Sequence, residues 1–535
     1  MSGPARFDRA WALERLAADT FDVLVIGGGI TGAGVALDAA SRGLRTALVE
    51  REDFGSGTSS RSSKLVHGGL RYLSQGDYRL VAQALAERQR LLHNAPHLVR
   101  PLPFLVPAYG SRARMRAVSS ALWLYDATGG FRIGTLHRRI SATEALAHTP
   151  ALRAEGLVGA HLYLDAQADD ARLALTVARS AVLDHGAVAA NHAGVTELLR
   201  GAGGRVTGAR MSADGAEFDV RAAAVVSATG VWADALRADG TRSIRPAKGV
   251  HLTLPAELVR TDVALVLTAP ADGRSIFVVP WAGSDRVYVG TTDTDYDGPL
   301  DNPVCTAADT DYLLGALNAA LSSTVTPDDV VGSWAGLRPL VADAGAGAGS
   351  GRSADLSRRH RVGVGADGLV TIAGGKLTTY RAMAEDTVDA VQAALGRRVT
   401  PCRTRRLALH GAPPVARAGS PPRDDHLVGR HGTDARVVAA MVDAHPNLGE
   451  PLVGTLPYLR AEAVYAARYE MACSVDDVLA RRTRSLILAR DASAAAAPDV
   501  AGLLARELGW SVTEAAADVE RYRAGVEAER SAATA

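Results

Sequence analysis

The 535-residue sequence predicts an α/β fold: a Rossmann-like nucleotide-binding domain, an antiparallel β cap over it, and an all-α domain at the C-terminal end. Three observations predict it. The stretch FDVLVIGGGITGAGVALDAASRGLRTALVERED (21–53) reads as strand, glycine turn, helix and second strand in that order. Apolar and polar residues alternate through 245–340, in segments such as HLTL, SIFVVPW and RVYVGTT, as antiparallel strands require. Past about residue 400, the Pro/Gly segment GAPPVARAGSPPRDD gives way to Ala, Arg and Leu at helical spacing.

Residues 1–20 form a short helical leader in this reading. The main region, 21–395, opens with an apolar strand, Val23 to Ile26, and turns through Gly27, Gly29 and Gly32 into a helix. Those glycines let backbone approach a pyrophosphate, the helix N-terminus offers free N–H groups to it, and the third permits close helix–strand packing. A second strand, Thr46 to Val49, ends at Glu50. A carboxylate there accepts from a ribose diol and repels a 2′-phosphate, which favours FAD or NAD over NADP. Further on, 168–190 reads as a helix followed by a strand, and AAAVVSATGVWAD (222–234) as another apolar strand entering a small-residue turn. One nucleotide domain assembled from separated segments, as FAD enzymes commonly are, accounts for this order. The region 400–535 is the predicted helical domain.

The bulk numbers narrow the function. A net charge of +1 with both signs dispersed argues against a nucleic-acid surface. Three widely spaced cysteines, Cys305, Cys402 and Cys473, offer neither a disulfide framework nor a CxxC metal site, so a cytoplasmic, reducing compartment fits. The charged N-terminus has no signal-peptide core, and no segment gives about eighteen uninterrupted apolar residues, so the chain is expected to lie on a membrane at most. DTDYDG (293–298) imitates the start of a calcium loop, but Val304 stands where the bidentate glutamate is needed. No metal is expected.

Six blocks carry a resemblance: TSSRSSKLVHGGLRYL (58–73), KGVH (248–251), FVVPW (277–281), VGTTDT (289–294), GLRPL (336–340) and GGKLTTYR (374–381). In this order the chain resembles the FAD-dependent, quinone-linked glycerol-3-phosphate dehydrogenases, and EAVYAARYEMACSVDDVLARRTR (462–484) is similar to that family's C-terminal helical domain. The resemblance implies a D-amino-acid-oxidase-like flavoprotein with FAD bound. It also implies oxidation of sn-glycerol 3-phosphate to dihydroxyacetone phosphate, with electrons passed to a quinone at the inner face of the cell membrane. An oxidase using oxygen and a non-catalytic flavin-binding regulatory protein are the alternatives; a homodimer is among the assemblies this reading allows.

Hydride removal from a secondary alcohol needs a base, and a dianionic substrate needs cations. Arg71, Arg338 and Arg358 can fork onto phosphate oxygens, Tyr72 and Thr291 can add hydroxyl donors, and His67 or His251 can take the hydroxyl proton. Only three lysines occur, Lys64, Lys248 and Lys376, and all lie in the matched blocks of a chain otherwise rich in arginine. Lys376 is expected to stabilise negative charge at the flavin or substrate, Lys64 to meet the cofactor pyrophosphate or a flavin carbonyl, and Lys248 to shape the cavity wall. The resemblance further implies cofactor contacts from Thr58, Ser59, Ser62, Leu65 and His67 in the first block, and from Gly375, Leu377 and Thr378 in the last.

Overall fold

Val23 to Ile26 and Thr46 to Val49 are buried without interruption, the pattern of strands covered on both faces. The structure, a computed structural model, describes residues 7–70, 76–237, 243–341, 359–398, 400–413 and 426–534. Thr20–Ile26 lies between Ala216–Ser227 and Thr46–Val49, parallel to both, with Val25 opposite Val226 and Leu48. Val370–Ala373 and Val188–Ala190 extend the parallel set on the two sides. Helix Ile30–Ser41 packs beside Asp170–Leu183 and Tyr380–Ala394. A Cβ at Gly34 would stand 2.7 Å from the Tyr380 ring, so the small residue lets two helices close over the sheet.

A second sheet of ten strands forms the cap. Ile244–Pro255 pairs antiparallel with Arg286–Gly290 and with Gly332–Val341, and Ser275–Pro280 and Ala264–Thr268 follow. The sheet then runs outside the expected 245–340 region: Ala264–Thr268 joins Val99–Tyr109 in a parallel pairing, and that strand pairs with Leu157–Ala168 along its whole length. Leu65–Val66 closes the edge.

Beyond residue 426 the described chain is helical, including Arg460–Tyr469, Arg490–Leu508 and Val512–Thr534. Its core is continuous with the cap, since Phe104, Tyr163 and Trp334 pack in one cluster with Leu504 and Tyr522. Buried ion pairs tie it to the nucleotide-binding part: Asp53 receives Arg481 and Arg482 at 2.6 Å each, and Arg172 meets Glu470 at 2.7 Å. No described helix is long and apolar enough to cross a membrane.

Candidate active site and cofactor cavity

A cavity of about 420 Å³ opens where the parallel strands end, lined by Gly27, Glu50, Ala228 and Gly374 just past four strand C-termini. Crevices at this edge are where open α/β sheets take ligands. Gly27 has φ +105°, and a Cβ at Gly32 would fall 1.8 Å from the Gly27 carbonyl oxygen. The turn therefore tolerates no side chain, and the helix N-terminus comes down onto the strand. Gly29 precedes the first helical residue, Ile30, whose N–H donates to Ser59 Oγ at 2.8 Å. Glu50 accepts from the Gly28 N–H at 2.6 Å and the Glu52 N–H at 2.9 Å; burial, foremost, raises its pKa above the usual carboxylate value. Thr58 and Ser59 also line the cavity.

The opposite end is formed by Gly375, Lys376 and Leu377. Gly374 and Gly375 have φ of +76° and +83°, and a Cβ on Gly375 would stand 2.4 Å from Met383 Sδ. Lys376 then precedes a short 3₁₀ turn, Leu377–Thr379, which runs into helix Tyr380–Ala394. Thr378 is buried, and its Oγ1 accepts from the His67 N–H at 3.3 Å, so the first and last matched blocks meet. The next residue is held as firmly: the Gly68 N–H donates to the Tyr125 hydroxyl at 3.0 Å, which donates to Asp165 at 2.6 Å, and Arg88 neutralises Asp165.

On the cap, His251, Thr291 and Arg338 come together. His251 pairs with Gly290 in the ladder, and Arg338 donates to Thr291 Oγ1 at 3.1 Å, to the Thr292 carbonyl at 3.0 Å and to Asp293 at 3.1 Å. The His251 ring stacks on Trp334 with centroids 4.7 Å apart, and Nε2 lies 2.8 Å from Ser63 Oγ. Nδ1 is buried without a hydrogen bond. Burial first, then the charges of Lys64 and Arg338, hold the imidazole pKa well below its ordinary value, so the ring is neutral.

Six expected cofactor contacts are not in the cavity lining: Gly32, His67, Thr378 and three of one loop, Ser62, Lys64 and Leu65. Lys64 is buried, with Nζ 3.4 Å from Asp170 and 4.1 Å above the Trp334 ring, and burial lowers its pKa to about 7. Ser62 donates from Oγ to Asp170 at 2.7 Å, and Leu65 is packed in the edge strand of the cap. None of the three lines the cavity, because this loop spends its polar groups fixing itself onto Asp170. Lys248 does not line it either: it pairs with Asp309 at 2.6 Å. Arg71, Tyr72 and Arg358 lie outside the described residues. Sequence reasoning missed Trp232 and Arg61, both on the cavity wall. Among the described residues the Arg61 guanidinium makes no hydrogen bond or ion pair. Its place between serines in the first block was the available signal.

The lining fits a dinucleotide. It supplies a glycine cradle, a helix N-terminus, hydroxyls and a carboxylate at one end, and a cation beside a glycine turn at the other. The family model for FAD dependent oxidoreductases matches residues 22–381, and the one for the C-terminal domain of alpha-glycerophosphate oxidase matches 402–515. Glycerol-3-phosphate dehydrogenase 2 of Mycobacterium tuberculosis is 43% identical, covering 98% of this chain and 91% of that protein. The mitochondrial glycerol-3-phosphate dehydrogenase of Bos taurus is 40% identical, over 94% and 72%. The crystal structure of glycerol-3-phosphate dehydrogenase from Bacillus halodurans complexed with FAD superposes with a TM-score of 0.77 at 30% identity, covering 98% of this chain and 97% of that one. With a cavity built for its cofactor, FAD, and likeness over nearly its full length, the chain belongs to the FAD-dependent glycerol-3-phosphate dehydrogenase family.

Proposed function

We propose that the protein oxidises sn-glycerol 3-phosphate to dihydroxyacetone phosphate and passes the electrons to a membrane quinone, working at the cytoplasmic face of the membrane. The observation that carries this reading is one cap ladder that presents a neutral imidazole, a hydroxyl and a guanidinium together: His251, Thr291 and Arg338. Lys376, which follows two glycines, lies at the cavity end nearest the His67 segment.

Gly27, Gly29, Glu50, Thr58 and Ser59 would hold the adenosine and pyrophosphate end of FAD, with Gly375 to Leu377 at the other end. FAD bound there would supply the acceptor for the hydride leaving C2 of the substrate. Arg338 and Thr291 present donors to phosphate oxygens, which sets C2 in register. His251, kept neutral by burial and adjacent positive charge, takes the C2 hydroxyl proton as the carbonyl forms. Lys376 stabilises the negative charge that hydride transfer develops at its end of the cavity. His67 holds the loop against Thr378 and is the alternative proton acceptor.

Arg338→Ala should raise the half-saturating concentration of glycerol 3-phosphate at least about tenfold, while glycerol stays a poor substrate for both forms. Equal loss toward both alcohols would remove Arg338 from phosphate recognition. Oxygen is the competing acceptor, because the matched C-terminal family description names an oxidase. Turnover with a soluble quinone that far exceeds turnover with oxygen supports the dehydrogenase; stoichiometric peroxide at an equal rate would replace it with the oxidase.

A further inference from the structure

Three arginines line the FAD cavity, and two of them are already committed: Arg51 pairs with Asp301 at 2.5 Å, and Arg481 meets Asp53, Asp476 and Asp477 at 2.6 to 2.7 Å. Arg61 is not. Among the described residues its guanidinium has neither hydrogen bond nor ion pair, although it is partly buried near Arg481 and Arg484. Burial foremost lowers its pKa, those two cations push the same way, and Asp476 and Glu529 only partly offset them. A guanidinium held like this, all donors and no acceptor, is destabilising unless a ligand brings oxygens to it.

Its place is fixed from two sides. Ser59, two residues before it, accepts at Oγ from the N–H of Ile30, the first residue of the helix that follows the glycine turn. Thr58 Oγ1 donates to the Leu337 carbonyl on the cap strand at 2.6 Å, and the Arg61 N–H returns to the Thr58 carbonyl at 3.1 Å. A Cβ at Gly336 would stand 3.0 Å from the Arg61 Cβ. The segment is thus wedged between the helix end and the cap, and two residues of chain span at most about 7 Å. Arg61 is therefore rooted close to the turn where a dinucleotide rests its pyrophosphate. The turn and the helix end offer only neutral N–H groups there, whereas a pyrophosphate is doubly negative.

We propose that Arg61 is the cation that neutralises the pyrophosphate of FAD, supplementing the N–H groups of the glycine turn with forked, charge-assisted hydrogen bonds. The assignment rests on FAD lying in this cavity, as above, and gives the glycine turn what it lacks, a full positive charge. Arg61 also borders a second cavity of about 430 Å³ beneath the C-terminal helices. There it joins three further arginines that already face five carboxylates, so no added anion is called for on that side.

The test starts from FAD-loaded protein and follows the fluorescence of flavin released on dilution. The dissociation constant of FAD should rise at least about tenfold in Arg61→Gln, and by less in Arg61→Lys, which keeps the charge. Displacement separates a phosphate contact from a distorted site. ADP loses the same contact as FAD and should displace it from wild type and Arg61→Gln at equal excess. Adenosine, which has no phosphate to lose, should displace FAD from Arg61→Gln at an excess about tenfold lower. Arg61→Lys carries the same displacement test where Arg61→Gln does not fold. An unchanged dissociation constant would overturn the proposal, as would adenosine that needs the same excess in both proteins. So would inorganic phosphate that raises the thermal midpoint of FAD-loaded wild type and not of FAD-loaded Arg61→Gln, since the guanidinium would then serve the second cavity. None of these readouts uses glycerol 3-phosphate, so they are judged apart from the proposed reaction.

Discussion

Lys376 keeps an ammonium in a chain that uses arginine at nearly every other basic position, and it is the one of three lysines that lines the cofactor cavity. Gly375 before it has a φ of +83° and no room for a side chain of its own, and a compact ammonium and a planar guanidinium are not interchangeable beside a ligand. Lys376→Arg should therefore slow anaerobic reduction of bound FAD almost as much as Lys376→Met, by about a hundredfold, measured by rapid mixing in variants that retain FAD. A wild-type rate in Lys376→Arg would show that charge alone suffices there. Lysine scarcity marked all three positions, but it could not tell holding a ligand from holding the fold. Lys64 packs on Trp334 and Asp170, and Lys248 on Asp309, so both were kept by burial beside an acid.

The strand–turn–helix at residues 20–41 was legible because its glycines are required by contacts the motif itself implies: the Gly32 position leaves 1.8 Å where a Cβ would sit. Gly32→Ala should push helix Ile30–Ser41 off the strand and yield protein with weakened FAD binding, checked by the ratio of flavin to protein absorbance after gel filtration. The cap strands before residue 245 were not legible. Val99–Tyr109 carries Pro101, Pro103 and Pro107, which read as breaks, yet it pairs with Leu157–Ala168 because its register is fixed by burial of Leu102, Phe104 and Leu105. A third element effect is electrostatic. His410 lies between Asp184, after helix Asp170–Leu183, and Asp434, and hydrogen bonds to Asp184 first and Asp434 second raise its pKa to about 9. Its contribution is complete below about pH 6.5, the unfolded value, and fades as pH rises through about 9. His410→Gln should cost on the order of 2 kcal/mol at pH 6 and little at pH 10 in thermal unfolding.

Over the whole molecule, the cap and helical region share a core, the nucleotide-binding part has its own, and buried charges tie that part to the helical region. Asp53 accepts from Arg481, Arg482 and Asn191, so Asp53→Ala would leave two buried guanidiniums short of a counter-charge. It should lower stability by about 3–5 kcal/mol in urea unfolding, whereas an exposed pair such as Arg51–Asp301 should cost under about 1 kcal/mol. The pairings of Asp53 with Arg481 and Arg482 could not be read from spacing, since those partners lie 428 and 429 residues away. The central claim is that this cavity, cap ladder and lysine act together on one substrate. It is tested most directly by mixing the FAD-loaded protein with sn-glycerol 3-phosphate under anaerobic conditions and following the flavin absorbance near 450 nm. The account predicts rapid bleaching with glycerol 3-phosphate and almost none with glycerol at the same concentration. A flavin band that persists with glycerol 3-phosphate, in protein shown to hold a full complement of FAD, would contradict it.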